Sequence, residues 1–467
     1  MVTDDLVARH GDPALAPLPH ALPSVERRAV LPAGFVAGGA RCGIKPSGRP
    51  DLALIAVSPG SGAAAAAAVF TRNAFVAAPV RLSRDHLAAT EPAGGGGRGW
   101  ARAVVSTSGS ANAATGSLGD ADQLRIARAV AAAISGRVEE VLCLATGLIG
   151  TRLPVDRIAD GIAGLAAWLG TSDEGLLAAA EALCTTDSRI KVATVSITLP
   201  DPDGLAVRPV RVSGIAKGVG MIHPAMATML AVLLTDARVS PAVLHGLLRP
   251  AAVRTWNQLT VDGDTSTNDT VFLLASGAAA TAEVMAGSPA AVALGASVEA
   301  VARDLARQQA ADGEGAATLL TCEVSGGRDD PEARAVARAV VASSLVKAAI
   351  HGRDPNWGRI VGAAGNARLA DAAVLEAAGL SPEEAGRRGS RPILVDPERL
   401  RVAIAGHLVF DGSGGGPVEF DRAAASGAMD RPEVLVRLDL GLGDGTGEAF
   451  GCDLTEEYVR ENSEYST

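Results

Sequence analysis

Aromatic residues account for only 3% of this 467-residue chain, although hydrophobic residues reach 48%. With few large rings to fill a core, density has to come from alanine, glycine and aliphatic side chains in close backbone approach. No apolar stretch nears the ~20 residues that span a bilayer. The start, MVTDDLVARHGDPALAPLPHALPS, lacks the charged opening and apolar run of a signal peptide. A cytoplasmic protein with no membrane partner is expected. The five cysteines (Cys42, Cys143, Cys184, Cys322, Cys452) lie far apart without a CxxC pair, which removes zinc-site and disulfide-framework readings. A net charge of −10 with scattered Lys and Arg excludes an extended nucleic-acid surface, while leaving room for a local basic pocket. HExxH and GxSxG are absent, so zinc-protease and serine-hydrolase chemistries lose their usual supports.

What is present begins near residue 31. LALIAVS (52–58) and ARAVVSTSG (101–109) read as buried strands, and AGGGGRG (93–99) as a surface loop. DADQLRIARAVAAAIS (120–135) has helical spacing. A further helix is expected at TSDEGLLAAAEALC (171–184), with Thr171 and Glu174 spaced as a capping box. Its apolar face would be Leu176, Leu177, Ala180, Leu183 and Cys184. VATVSITL (192–199) alternates as a half-buried strand, PDPDG (200–204) turns, and LAVRPVRVS returns as a strand that Pro209 assigns to a sheet edge. MLAVLL (229–234) and TVFLLASG (270–277) read as buried strands, with a helix entered at Ser240-Pro241 between them. Irregular alternation of strands and helices fits α/β or α+β layers and not a helical bundle.

Two ligand motifs fail on context. GSGAAAAAA (60–68) approaches a dinucleotide fingerprint, but has room only for a short helix and no acidic residue about 20 positions on. A calcium loop from Asp262 would need Gly and Glu where Thr267 and Leu273 stand, so VDGDTSTND (261–269) is expected to be a hydrogen-bonded structural loop. The remaining candidates are polar residues in small-residue surroundings. ATGLIG (145–150) follows apolar VLCL, and its glycines leave backbone N–H groups able to face a ligand. Lys217 stands between Ala216 and Gly218. Glu314 lies between glycines in ADGEGAA, and Thr228 sits where KGVGMIHPAMATML enters an apolar strand. Each taken alone reads as structural.

Together these blocks resemble the ornithine acetyltransferase family, the glutamate N-acetyltransferases of the cyclic arginine pathway. GFVAGGARCGIKPSGRPDLALI, ATGLIG, LCTTD, KGVGMIHPAMATML, TVDGDTSTNDTVFLLASG, DGEGA, SSLVKAAIHGRDPNWGRI and GCDLTEEYVRENSEYST occur in the family's order, from about residue 28 to the last. The resemblance implies an α/β fold: a layered α/β sandwich of the ornithine acetyltransferase and DmpA type, with a smaller C-terminal α/β domain at about 330–467. Residues 1–27, rich in proline and without periodicity, read as an irregular arm that is an addition to the family pattern; the resemblance implies cleavage of the Ala227–Thr228 bond into an α chain (28–227 after the arm) and a β chain (228–467). These chains stay together in a heterotetramer or larger.

Carried over by position, Thr228 is the nucleophile, Thr146 and Gly147 stabilise the oxyanion, and Thr185, Lys217, Thr228, Glu314, Asn462 and Thr467 bind substrate; Thr186 is an adjacent alternative to Thr185. The implied reaction moves acetyl from N2-acetyl-L-ornithine to L-glutamate by a ping-pong route. No metal or redox cofactor takes part, and acetyl-CoA is a possible co-substrate. Cleavage also supplies an α-amino group, with a pKa of roughly 7.7–8 when unperturbed, close enough to neutrality to serve as base. Departures from the family pattern are Ala225 for a usual asparagine, Thr107 and Ser110 for frequent asparagines, and His351 for a common aromatic. The alternative is a self-processing acyltransferase or amidase of the same fold acting on another N-acyl amino acid.

Overall fold

The alanine run Ala64–Ala68 makes up the first five residues of a strand, and all five are buried. Apolar runs of this length suit strands covered on both faces, and methyl side chains let the covering layers come close. The structure, a computed structural model, describes residues 15, 16, 18, 21–223 and 229–464. It separates into two units. The larger holds Leu22–Ala252 and Asp264–Gln309; the smaller holds Val253–Gly263 with the described parts of Met1–Ala21 and Ala310–Thr467.

Among the described residues, ten strands build the larger unit: β1 (Phe35–Ala40), β2 (Leu52–Val57), β3 (Ala64–Phe70), β4 (Arg98–Ala101), β5 (Ala103–Ser110), β6 (Val141–Leu148), β7 (Lys191–Pro200), β8 (Val207–Lys217), β9 (Leu230–Thr235) and β10 (Thr270–Ala275). They form a four-stranded sheet, β1-β2-β5-β6, and a six-stranded sheet, β4-β3-β10-β9-β8-β7. Among the described strands of this unit, only β5–β6 and β9–β10 pair in parallel. One apolar cluster joins both sheets, including Phe35, Ile55, Leu142, Val232 and Phe272. A second cluster packs the helices Gly116–Ala133 and Val155–Ala166 on the other face of the four-stranded sheet, through Ile126, Val130, Ile158 and Ile162. Helix Pro289–Ala311 lies so close to β8 that a Cβ on Gly214 would come 2.7 Å from Leu305 and 2.8 Å from Val301. Helix, sheet, sheet and helix are therefore stacked as a layered α/β sandwich.

Local expectations and structure differ where packing overrides pattern. β8 is an interior strand, but it pairs with β7 along Val207–Ala216 and with β9 only along Val212–Lys217. Pro209 thus sits on the part that projects past β9, where its missing N–H breaks no second ladder. The helix Asp173–Leu183 takes Ser172 as N-cap without a side-chain bond. Asp173 accepts instead from the Leu31 amide at 2.8 Å. Leu177 is exposed, and Ala179 and Ala182 are buried in its place. The glycine tract is partly internal: β4 starts at Arg98, and a Cβ on Gly99 would meet Thr90 Oγ1 at 2.4 Å and Leu87 O at 2.6 Å.

In the smaller unit, β11 (Leu319–Gly327), β12 (Arg401–Ile404), β13 (His407–Asp411), β14 (Gly416–Pro417), β15 (Glu433–Asp439) and β16 (Gly445–Cys452) form one sheet, ordered β14-β13-β12-β15-β11-β16. Helices Asp330–Ala342, Ser344–His351 and Trp357–Gly365 share its apolar cluster through Val336, Val340, Ile350 and Ile360. Among the described residues, no helix is long and apolar enough to cross a membrane.

Candidate active site

β5 and β6 run in register until Gly109, where the pairing shifts at Ser110. Gly147 takes a φ of +129° there, and a Cβ on it would fall 2.3 Å from the carbonyl carbon of Gly109 and 2.6 Å from the Ser110 nitrogen. Only glycine permits both this backbone and this approach. Asn268, from the TSTND loop, holds the two chain segments together. Its Nδ2 donates to Ala145 O at 2.9 Å and Ala111 O at 2.7 Å. The carbonyl before Thr146 is thereby fixed, and Thr146 itself is almost fully buried.

The end of β8 delivers Lys217 to this turn. Its ammonium donates to Thr146 Oγ1 at 3.2 Å and lies 3.9 Å from Asp187 Oδ2, while Gln309 Nε2 donates to Lys217 O at 2.8 Å. Asp187 is the hub. Its Oδ1 accepts from Lys191 Nζ at 2.7 Å and the Gly218 amide at 2.9 Å; its Oδ2 accepts from the Thr185 amide at 3.0 Å. Burial alone would raise its pKa, but Lys217, Lys191 and the amide donors outweigh burial and hold the carboxyl below the usual carboxylate range. One ionised group thus ties the Thr185 turn to the Lys217 strand end.

Lys45 adds a third cation. Asp51 accepts from the amides of Cys42, Ile44 and Lys45, which folds the GIKPSGRPD segment into a tight loop. That loop aims Lys45 Nζ at Pro50 O and Cys184 O, one residue before Thr185. Burial, then Arg49, lowers the Lys45 pKa to about 8. The neighbouring Cys184 thiol is pushed up to about 11 by burial and Asp187, so it is a poor nucleophile at neutral pH.

Glu314 and Asn462 belong to the smaller unit. Asn462 Nδ2 donates to Glu314 Oε2 and to Tyr458 O, both at 3.0 Å. Gly315 makes this possible: its φ is +66°, and a Cβ there would lie 2.3 Å from the Tyr458 nitrogen. Asp453 pins the same loop by accepting from the amides of Ala317 and Thr318. Ala225, Ala227, Thr228 and Thr467 lie outside the described residues. Thr146, Gly147, Thr185 and Lys217 converge in the larger unit. Asp187, Lys191, Lys45 and Asn268 escaped the sequence reading, although Lys45, Asp187 and Asn268 stand inside the quoted blocks GFVAGGARCGIKPSGRPDLALI, LCTTD and TSTND. Among the described residues, no group of three or more His, Cys, Asp or Glu is disposed to hold a metal ion.

Comparison with known proteins decides the lineage. The ArgJ family profile matches residues 36–467. The chain belongs to the ArgJ family. It is 41% identical over 452 residues to the arginine biosynthesis bifunctional protein ArgJ of Synechocystis, covering 95% of this chain and 98% of that one. The Thermus thermophilus ArgJ protein is 43% identical over 442 residues, covering 94% and 99%. Among solved structures, the ornithine acetyltransferase of Mycobacterium tuberculosis complexed with ornithine is 36% identical, covering 43% of this chain and 98% of that chain with a TM-score of 0.36. ArgJ membership accounts for the ordered blocks from the first strand to the C-terminus.

Proposed function

We propose that this ArgJ-family enzyme transfers acetyl from N2-acetyl-L-ornithine to L-glutamate in arginine biosynthesis, through an acetyl-Thr228 intermediate. The observation that carries the active-site assignment is the buried contact between Lys217 and Thr146 beside the Gly147 turn. The relatives' name, and the ornithine held by the tuberculosis acetyltransferase, support the substrate class.

In this reading the Thr228 hydroxyl first attacks the Ala227 carbonyl, and the acyl group moves from nitrogen to oxygen. Water then hydrolyses the ester, leaving α and β chains that remain paired in a heterotetramer or larger. The freed Thr228 amine takes the hydroxyl proton as Thr228 attacks the acetyl carbonyl of acetylornithine. The tetrahedral oxyanion is stabilised by Thr146 and Gly147, with Lys217 holding the Thr146 hydroxyl and adding positive charge nearby. Collapse returns the proton to the departing ornithine amine. Glutamate then attacks acetyl-Thr228 by the same steps in reverse.

Lys45, Lys191 and Lys217 outnumber the carboxylates Asp187 and Asp51 around Thr185, which favours a carboxylate-bearing substrate. The resemblance assigns Glu314, Asn462 and Thr467 to substrate binding as well. The cycle calls for no metal or redox cofactor; acetyl-CoA would enter as a second acetyl donor. A cytoplasmic location follows from the pathway.

The test is a denaturing gel joined to intact mass. Wild type is expected as chains of 227 and 240 residues, with the heavier gaining one acetyl group after incubation with acetylornithine. Thr228→Ala is expected as one unacetylated 467-residue band. Wild type and variant both running as one band would refute the mechanism. Free acetate appearing without acetylglutamate would favour the amidase reading.

A further inference from the structure

His351, a departure from the family's common aromatic residue, is the last residue of helix Ser344–His351 in the smaller unit. Its Nδ1 donates to Asp453 Oδ2 at 3.2 Å, and its Nε2 lies 3.5 Å from Glu456 Oε2. The two carboxylates are unlike. Asp453 is buried directly after β16, whereas Glu456 is exposed in the first turn of the C-terminal helix Glu456–Glu464. The chain around them is pinned to the Glu314 loop. Asp453 Oδ1 accepts the amides of Ala317 and Thr318, Thr455 Oγ1 donates to Gly315 O at 2.7 Å, and Asn462 Nδ2 donates to Glu314 Oε2 at 3.0 Å. One imidazole therefore sits at the root of the helix that completes the Glu314–Asn462 pair.

Docking this helix gathers like charges. Burial, then Glu314, Glu457 and Asp312, push the Glu461 carboxyl above its ordinary pKa. Arg460 pairs with Glu457 at 3.4 Å. Lys347, one turn before His351, is buried with its ammonium on Cys452 O. Arg353 and Asp354, next along the chain, pair with Asp430 and Arg422, and Arg359 of the following helix donates to Leu345 O. His351 faces both Asp453 and Glu456 at once. We propose that His351 is a positioning residue for the substrate: protonated, it bridges Asp453 to Glu456 and so holds the C-terminal helix with Asn462 on Glu314. This rests on the reading above that Glu314 and Asn462 bind substrate. A neutral imidazole keeps the Nδ1 hydrogen bond to Asp453 but turns an Nε2 lone pair towards the Glu456 carboxylate. Imidazoles change charge between about pH 5 and 8, so the Glu456 contact is made on the acid side of that range and lost on the alkaline side. A phenyl ring at this position makes neither contact.

The experiment measures KM and kcat for acetylornithine at about pH 6 and about pH 8.5 in wild type, Glu456→Gln, His351→Gln and His351→Phe, with thermal melts to check folding. Glu456→Gln should raise KM about 2–5-fold over wild type at the lower pH, the worth of an exposed ion pair, and leave it unchanged at the higher. His351→Gln keeps a donor for Asp453 without the charge, so it should follow Glu456→Gln at both. His351→Phe should raise KM at both, by more at the lower pH, with kcat within about twofold of wild type throughout. A merely structural histidine would raise KM by the same factor at either pH. That equality, or a Glu456→Gln enzyme matching wild type at the lower pH, overturns the proposal. Asn462→Ala serves as control: an unmoved KM there would sink the substrate-binding reading, and the proposal with it.

Discussion

Replacing Asp187 by Asn removes one charge and almost no volume at the hub of the site. In the native protein that carboxylate serves Lys191, the Gly218 amide and the Thr185 amide directly, with Lys217 3.9 Å away. Asn offers one acceptor oxygen and forces its NH2 towards a donor. Lys191, wholly buried, then keeps its charge near Lys217 without the Asp187 carboxylate. Breaking a buried ion pair from one side costs about 3–5 kcal/mol, mostly for the charge left behind. Spread over a unit of this size, that lowers the thermal midpoint by roughly 5–9 °C.

The pH dependence has a definite sign. A carboxyl with a depressed pKa stabilises the fold above its unfolded value of about 3.9, and the contribution fades as pH falls towards the folded value. The gap between wild type and Asp187→Asn should be level from pH 8 to 5 and close below about pH 4. Adding Lys191→Met to Asp187→Asn should recover most of the loss, because the buried ammonium that Asp187 neutralised is gone. Thermal melts across pH, run on all three proteins, decide the matter. A variant melting within 1 °C of wild type at pH 7, or a second substitution that deepens the loss, would refute the reasoning.

Gly147→Ala should lower kcat by about 10²–10³-fold, the cost of losing one oxyanion donor, because the added methyl overlaps Gly109; a kcat within threefold of wild type would reject this geometry. Asn268→Ala leaves Ala111 O and Ala145 O without their shared donor, at about 1–3 kcal/mol for each buried group. Steady-state kinetics should show kcat falling more than KM rises. A lower melting point with unchanged kcat would assign Asn268 to scaffolding alone.

Local pattern determined a good deal of this protein. The strands at 52–57, 103–110, 230–235 and 270–275 and the helix Gly116–Ala133 follow from apolar runs and periodicity, signals that neighbours in the chain supply among themselves. Thr146, Gly147, Lys217 and Thr228 were legible because they sit in unbroken blocks whose order the family shares. Tertiary structure alone decided which strand lies inside the sheet at Pro209, which glycines are internal, and which small faces of helix 173–183 are covered. It also decided the electrostatic frame. A lone Asp187 or Lys45 carries no local signature, since its meaning depends on partners up to 139 residues away, as with Lys45 and Cys184 O. Charges and buried amides find one another only when separate strands end at the same place, and that convergence is a property of the folded layers.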